Sequence, residues 1–440
     1  MLNLEYLFKK VRDSFWFVPT LIIFMSILMA IFLLYMDKTY PFTPEGIFKI
    51  IFSENSESGR NVLTVIAGSM VGIAGTVFSI TIVVLQLASS QFGPRLLQNF
   101  MYKRLNQVVL GQYVGVFLYC IIVINATRDN DSYAFIPNLS ILFALLLAIF
   151  NVFLLVIFIH SISMSIQPSK IINELRTRIE NNIETMYPQQ VEKDVVLSES
   201  KEDHTSSLRK IKQIKVKSSG YIQYFDLDLL VRKAREHEVI IKILLKPGKY
   251  IVKEQPVFDI FQQSYSEDKQ LDEDDFSLEE SFKIANQKTF FQDIEFGIHQ
   301  IVEIASKALS PGVNNPYTAT VCINNLTSVL CKLVCIDIPD AALKDDEDTT
   351  RVIVINDSFE GFLEAAFNLI RQYGKTSPFI IIKLMEALTV ILEFDTSQKH
   401  INALKKYAEI VMQTGKESFL LETDIADLTH RYTIFKTKIS

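Results

Sequence analysis

The sequence predicts a multi-span α-helical membrane protein. Four transmembrane helices precede an α+β cytosolic domain, which contains a small β-barrel and a mostly helical C-terminal part. Three observations predict this. Long apolar runs nearly free of charge crowd the first 165 of 440 residues. Charge is split unevenly, with 10 Lys and Arg against 8 Asp and Glu in residues 1–165, and 34 against 42 thereafter. Past Lys210 the pattern changes to short alternating runs and then to amphipathic helical periods.

The spans fall at about 16–36, 62–91, 108–126 and 135–165. The first is preceded by Lys9, Lys10 and Arg12 and flanked by Trp16, Phe17 and Tyr35, which suit a membrane interface. It is too long for a signal peptide, and no small-residue cleavage site follows it. The second span, Val62 to Gln91, runs thirty residues without a charge; about 20 apolar residues suffice to cross a bilayer core. It stops at Gly93-Pro94, and Leu96 to Leu105 then reads as a short surface helix. The third span holds Gly111 and Gly115, a GxxxG pair that permits close helix approach. The fourth carries Asn151 and His160.

Topology follows from the basic residues. Lys9, Lys10 and Arg12, then Arg95, Lys103 and Arg104, then Lys170, Arg176 and Arg178 all fall on one side if the chain crosses four times. The positive-inside rule makes that side the cytoplasm, with both termini there.

Residues 166–209 read as a helical extension with a stripe of Ile171, Ile172, Leu175, Ile179 and Ile183, followed by a polar linker from Pro188. Residues 210–263 read as a small β-barrel or sandwich with one inserted helix at Asp226–Glu236. Residues 264–440 read as mainly helical. Within them Ser277-Leu-Glu-Glu280 has the form of a capping box opening a helix. Asn315 is a good N-cap, with Pro316 at the first helical position. The acidic run Asp272–Asp275 lacks the spacing of a calcium loop and reads as solvated.

Function is narrowed rather than named. An acidic soluble half argues against nucleic acid. The four cysteines form no CxxC and no second ligand pair accompanies Cys331 and Cys335, so no metal site is expected. No paired acid, base or nucleophile stands at catalytic spacing. The expectation is a protein that is not an enzyme and takes no cofactor.

The most informative stretch is the second span. Gly68, Gly72, Gly75, Ser79, Gln86 and Ser90 recur at steps that collect them on one helix face. Two readings stand side by side. The glycines pack helices closely while Ser79 and Gln86 bond across the contact. Alternatively, the stripe lines a pore in which Ser79, Gln86 and Ser90 replace part of an ion's hydration and Ile82 and Val83 form an apolar gate. Arg95, just past the span, biases such a pore toward anions or simply sets topology. Ser310, Asn314 and Asn315 form a turn at a helix start, which attracts anions or serves structure alone. The expected partners are the lipid bilayer, further copies of the same chain and an ion.

Three blocks carry a resemblance: VFSITIVVLQLASSQFGPRLL (Val77 to Leu97), NQVVLGQYVGVFLY (Asn106 to Tyr119) and DIEFGIHQIVEIASKALSPGVNNPYTA (Asp293 to Ala319). They resemble the hallmark blocks of a bacterial predicted-membrane-protein family, domain of unknown function 2254. The resemblance implies a bacterial inner-membrane protein with four spans and a cytosolic domain, and implies no activity. Where the family commonly has Asp, this chain has Asn315, and both residues cap helices. Leu244 to Val257 is also similar to the pattern of biotinyl and lipoyl domains. No lysine stands at an evident hairpin tip between the expected methionines or alanines, so the likeness supports a barrel and no carrier function.

Two functions are weighed on this basis. One is an oligomeric inner-membrane channel or transport protein whose cytosolic domain assembles or gates it. The other is a non-conducting, membrane-anchored sensor or scaffold that binds a partner through that domain.

Overall fold

The computed structural model describes residues 16–40, 56–92, 104–130, 133–165, 167–187, 208–263, 277–336, 342–355, 357–394 and 397–439. The expected surface helix after the second span, the polar linker and the acidic run lie wholly or mostly outside these residues, and Arg95 lies outside them too. The chain divides into two compact units, residues 1–170 and 171–440.

The first unit holds four helices long and apolar enough to cross a membrane. They are α1 (Phe17–Thr39), α2 (Ser56–Phe92), α3 (Arg104–Ala126) and α4 (Asn138–Ser165). A short hairpin of β1 (Arg128–Asn130) and β2 (Tyr133–Phe135) joins α3 to α4. Helix α2 begins before the expected span, because Glu57 and Arg60 continue the helical backbone. Helix α3 packs along both α1 and α2. Its GxxxG pair makes the α1 contact: a Cβ at Gly111 would lie 2.8 Å from the Pro19 Cα, and one at Gly115 would lie 2.5 Å from Ser26 Oγ. Apolar lipid gives helices little reason to associate, so such close backbone approach and buried polar contacts supply the cohesion. Tyr113 Oη donates to the Asn151 carbonyl at 2.7 Å, and Tyr119 Oη donates to the Ser140 carbonyl at 2.9 Å.

The second unit opens with α5 (Pro168–Met186), which begins three residues after α4 ends. Its predicted stripe, Ile171, Ile172, Leu175, Ile179 and Ile183, is buried throughout. Two sheets follow. Strands β3 (Leu208–Lys215), β4 (Gly220–Phe225), β5 (Ile240–Ile243), β6 (Tyr250–Ile251) and β7 (Pro256–Gln263) enclose α6 (Leu227–Glu236) in sequence. Strands β8 (Phe282–Ala285), β9 (Ala342–Lys344) and β10 (Thr350–Ile353) come from beyond Gln263. The five-stranded sheet has the order β3-β7-β5-β10-β9, with β5 and β10 parallel, and the three-stranded sheet has the order β6-β4-β8.

Of the two forms expected, barrel or sandwich, no closed barrel is formed among the described residues. Both sheets keep open edges and bury a shared core. Phe258 of the larger sheet meets Phe225 and Phe282 of the smaller edge to face, with ring centroids 5.7 and 5.5 Å apart. The expected helix after Ser277 is also absent. The backbone makes one 3-10 turn over Glu279–Ser281, and Phe282 then enters β8. Pairing of Phe282 with Phe225 and of Ile284 with Ile222 outweighs the local capping signal.

The remaining helices are α7 (Ile294–Ala308), α8 (Pro316–Val334), α9 (Phe359–Gly374), α10 (Pro378–Ile391), α11 (Gln398–Ser418) and α12 (Glu422–Thr437). Side chains cap four of them. Asp293, Asn315, Ser358 and Ser397 accept from the amides of Phe296, Thr318, Gly361 and His400 at 2.8, 3.1, 3.1 and 3.4 Å. Pro316 stands at the start of α8 as expected. Helix α7 lies against α5 so closely that a Cβ at Gly297 would sit 2.6 Å from Ile179 Cγ1.

Candidate functional site

The face that α2 turns toward its neighbours consists of Leu63, Ile66, Ala67, Met70 and Val77, all buried. At 100° per residue, the centre of Gly68, Gly72, Gly75, Ser79, Gln86 and Ser90 lies roughly 170° away from that face. The structure therefore puts the small and polar residues on the outside of the bundle, where all six are exposed. Ile82 and Val83, also exposed, flank the stripe on either side. A Cβ built on Gly68, Gly72 or Gly75 meets nothing within 4 Å. The hydroxyls turn back on their own helix: Ser79 Oγ donates to the Gly75 carbonyl and Ser90 Oγ to the Leu87 carbonyl, both at 2.9 Å. Among the described residues these three glycines pack no helix, whereas Gly59 meets Ile141 of α4 and Gly111 and Gly115 meet α1.

The turn at Ser310, Asn314 and Asn315 closes one helix and opens the next. Ser310 Oγ donates to the Lys307 carbonyl at 2.7 Å, and the Ser310 carbonyl accepts from the amides of Val313 and Asn314 at 3.0 and 2.9 Å. Asn314 adopts a left-handed φ of 44°, a conformation Asn tolerates better than most residues. Asn315 amide donates to the Ala308 carbonyl at 2.7 Å while its side chain caps α8. These bonds account for the turn as a structural element.

Asp293, the first residue of the third hallmark block, is a strongly perturbed carboxylate among the described residues. Burial pushes its carboxyl up to about 6, against the opposing pull of the Phe296 amide and of Lys288. Among the described residues its Oδ2 has no hydrogen-bond partner, and Lys288 Nζ stands 3.7 Å away. Gly248, at φ +80°, makes room for it: a Cβ there would lie 1.8 Å from Oδ2.

A groove of about 900 Å³ in the second unit has no counterpart in the sequence reading. It runs between α5, α8, α10 and α12. Its residues come from four separated segments, and each segment alone reads as an ordinary amphipathic helix. The CxxxC of Cys331 and Cys335 was the one local mark, and both residues line it.

Four helices long and apolar enough to cross a membrane, followed by an α+β unit, mark a multi-pass membrane protein. A family model described as "Predicted membrane protein (DUF2254)" matches residues 12–390. The chain belongs to that family. It is similar to an uncharacterized protein of Mycobacterium bovis and one of Mycobacterium tuberculosis, each 27% identical over 379 residues, covering 86% of this chain and 72% of theirs. No solved structure matches.

Proposed function

We propose that this protein is an oligomeric channel or transport protein of the bacterial inner membrane, in which α2 lines the conduit and the second unit, in the cytosol, assembles or gates it. The outward placement of the α2 stripe carries this reading. Three glycines, two serines and a glutamine on the outside of a bundle face lipid in a monomer, where they gain little. Against a second copy, the glycines let backbones approach and the polar groups meet one another or water. The chain acts on solutes by passage rather than by chemistry, without a cofactor, and both termini lie on the cytosolic side.

Cysteine scanning from Ser69 to Ser90 tests it. Water-borne thiol reagents should react at positions 72, 75, 79, 86 and 90, and purified protein in liposomes should pass ions. Reaction confined to the buried face, together with no flux under voltage, tension or ligand, would remove the proposal. The groove in the second unit favours the other reading, a non-conducting sensor, and that reading predicts flux-free liposomes with a retained binding partner.

A further inference from the structure

We propose that the groove between α5, α8, α10 and α12 binds a free, fatty-acid-like carboxylate: an amphipathic anion with an apolar tail. The inference is independent of whether the protein conducts. The groove's volume of about 900 Å³ lies in the range of sites that bury a small ligand.

Part of its lining is apolar. Cys331 and Ala387 are buried in it, whereas Val390 and Phe394 remain 42% and 44% exposed and offer uncovered apolar surface. Burying such a surface under an acyl chain is favourable in proportion to the area removed from water.

The polar groups divide by what already holds them. Glu180 accepts both from Arg176 Nη1 at 2.8 Å and from Ser328 Oγ at 2.9 Å. Lys332 is paired with Glu184. Lys383 and Arg431 are left sharing one carboxylate, at 3.4 Å from Glu386 Oε2 and 3.2 Å from Glu386 Oε1. The further contact of Arg431, to Asp427 at 3.3 Å, is made to a residue outside the lining that is 48% exposed. Half-exposed pairs at such distances are weakly held. An arginine fork beside a lysine is suited to a second carboxylate, to which it donates two parallel bonds. The acid head then sits at Lys383 and Arg431, and the tail lies over Val390, Phe394 and Cys331.

Cys335 lines the same groove and is exposed, whereas the other three cysteines are buried, so it reports occupancy in the native protein. Full-length protein in nanodiscs is treated with iodoacetamide at increasing octanoate, with octanol and octylamine in parallel. Octanoate should slow alkylation of Cys335 saturably by at least fivefold, and octylamine should not. Glu386→Gln removes the carboxylate that both cations share, leaving Arg431 only its contact to Asp427, and should lower the half-saturating octanoate at least threefold. The double variant Lys383→Met, Arg431→Met should raise it at least fivefold. Equal protection by octanol or octylamine, or none by octanoate, would overturn the proposal. So would a half-saturation unmoved in Glu386→Gln, which decides the matter even if the double variant does not fold.

Discussion

Asp37, near the end of α1, caps the start of α4 through Ser140. Its Oδ2 accepts from the Ser140 amide at 2.9 Å and from Ser140 Oγ at 2.6 Å, while Oδ1 accepts from the Leu139 amide at 2.9 Å. The carboxylate is buried, and the first-turn amides of α4 supply the partial positive charge that stabilises it there. The first and last spans are thereby joined at one end by a cap supplied from another helix.

Replacing Asp37 with Ala leaves three donors unpaired, the two of Ser140 buried and the Leu139 amide part-buried. It should cost about 2–3 kcal/mol, and Asn, which keeps one acceptor oxygen, should cost about half as much. Thermal unfolding of the detergent-solubilised protein checks the order. Equal loss for both variants would show that the charge, not the bonds, holds the contact.

The two sets of glycines should respond oppositely. Gly111→Ala drives a methyl into the Pro19 backbone and should destabilise the bundle by about 1–3 kcal/mol. Gly68→Ala, Gly72→Ala and Gly75→Ala meet open space and should leave monomer stability within about 0.5 kcal/mol. If α2 mediates assembly, these same changes should shift the oligomer distribution, read by light scattering in nanodiscs.

Asp293 sets a pH dependence with a definite sign. Its carboxyl titrates near 6 in the folded chain against an ordinary value of 3.8, so folding tightens its hold on the proton. The associated stability is complete below about pH 4 and is lost as pH rises through 6. The expected loss is on the order of 3 kcal/mol. Asp293→Asn keeps a capping oxygen and removes the charge. It should flatten the melting temperature between pH 4.5 and 7.5 and raise it at the alkaline end. An unchanged pH profile in the variant would assign the dependence to other groups.

Thiol reactivity should single out one cysteine. Burial pushes Cys322 up and Cys331 up to about 12, whereas Cys335 is exposed. Alkylation at pH 8 followed by peptide mass spectrometry should modify Cys335 at least tenfold faster than Cys120, Cys322 or Cys331.

Much of the architecture was legible residue by residue. Uncharged length fixed the four spans, because a bilayer admits only backbone that satisfies its own bonds. The isoleucine-rich stripe of α5 and the cap at Asn315 were readable for the same local reason: helix periodicity and unsatisfied first-turn amides involve residues three or four apart. Ser277–Ala285 was misread because its strand is made by Phe225 and Ile222, some sixty residues earlier in the chain. The barrel was misread because closure depends on which edges meet, and that is not written in any one strand.

By itself, the sequence determined that this is a membrane protein of four spans with a helical C-terminal part, and that α2 has one small, polar face. Only the tertiary structure decided that this face turns away from the bundle, that Asp37 caps a helix about a hundred residues distant, and that four helices leave a groove with two loosely held cations. The physical reason is range. Span length and periodicity are sums over neighbouring residues, whereas a face's direction, a buried carboxylate's partner and a groove's lining are set by packing between distant segments.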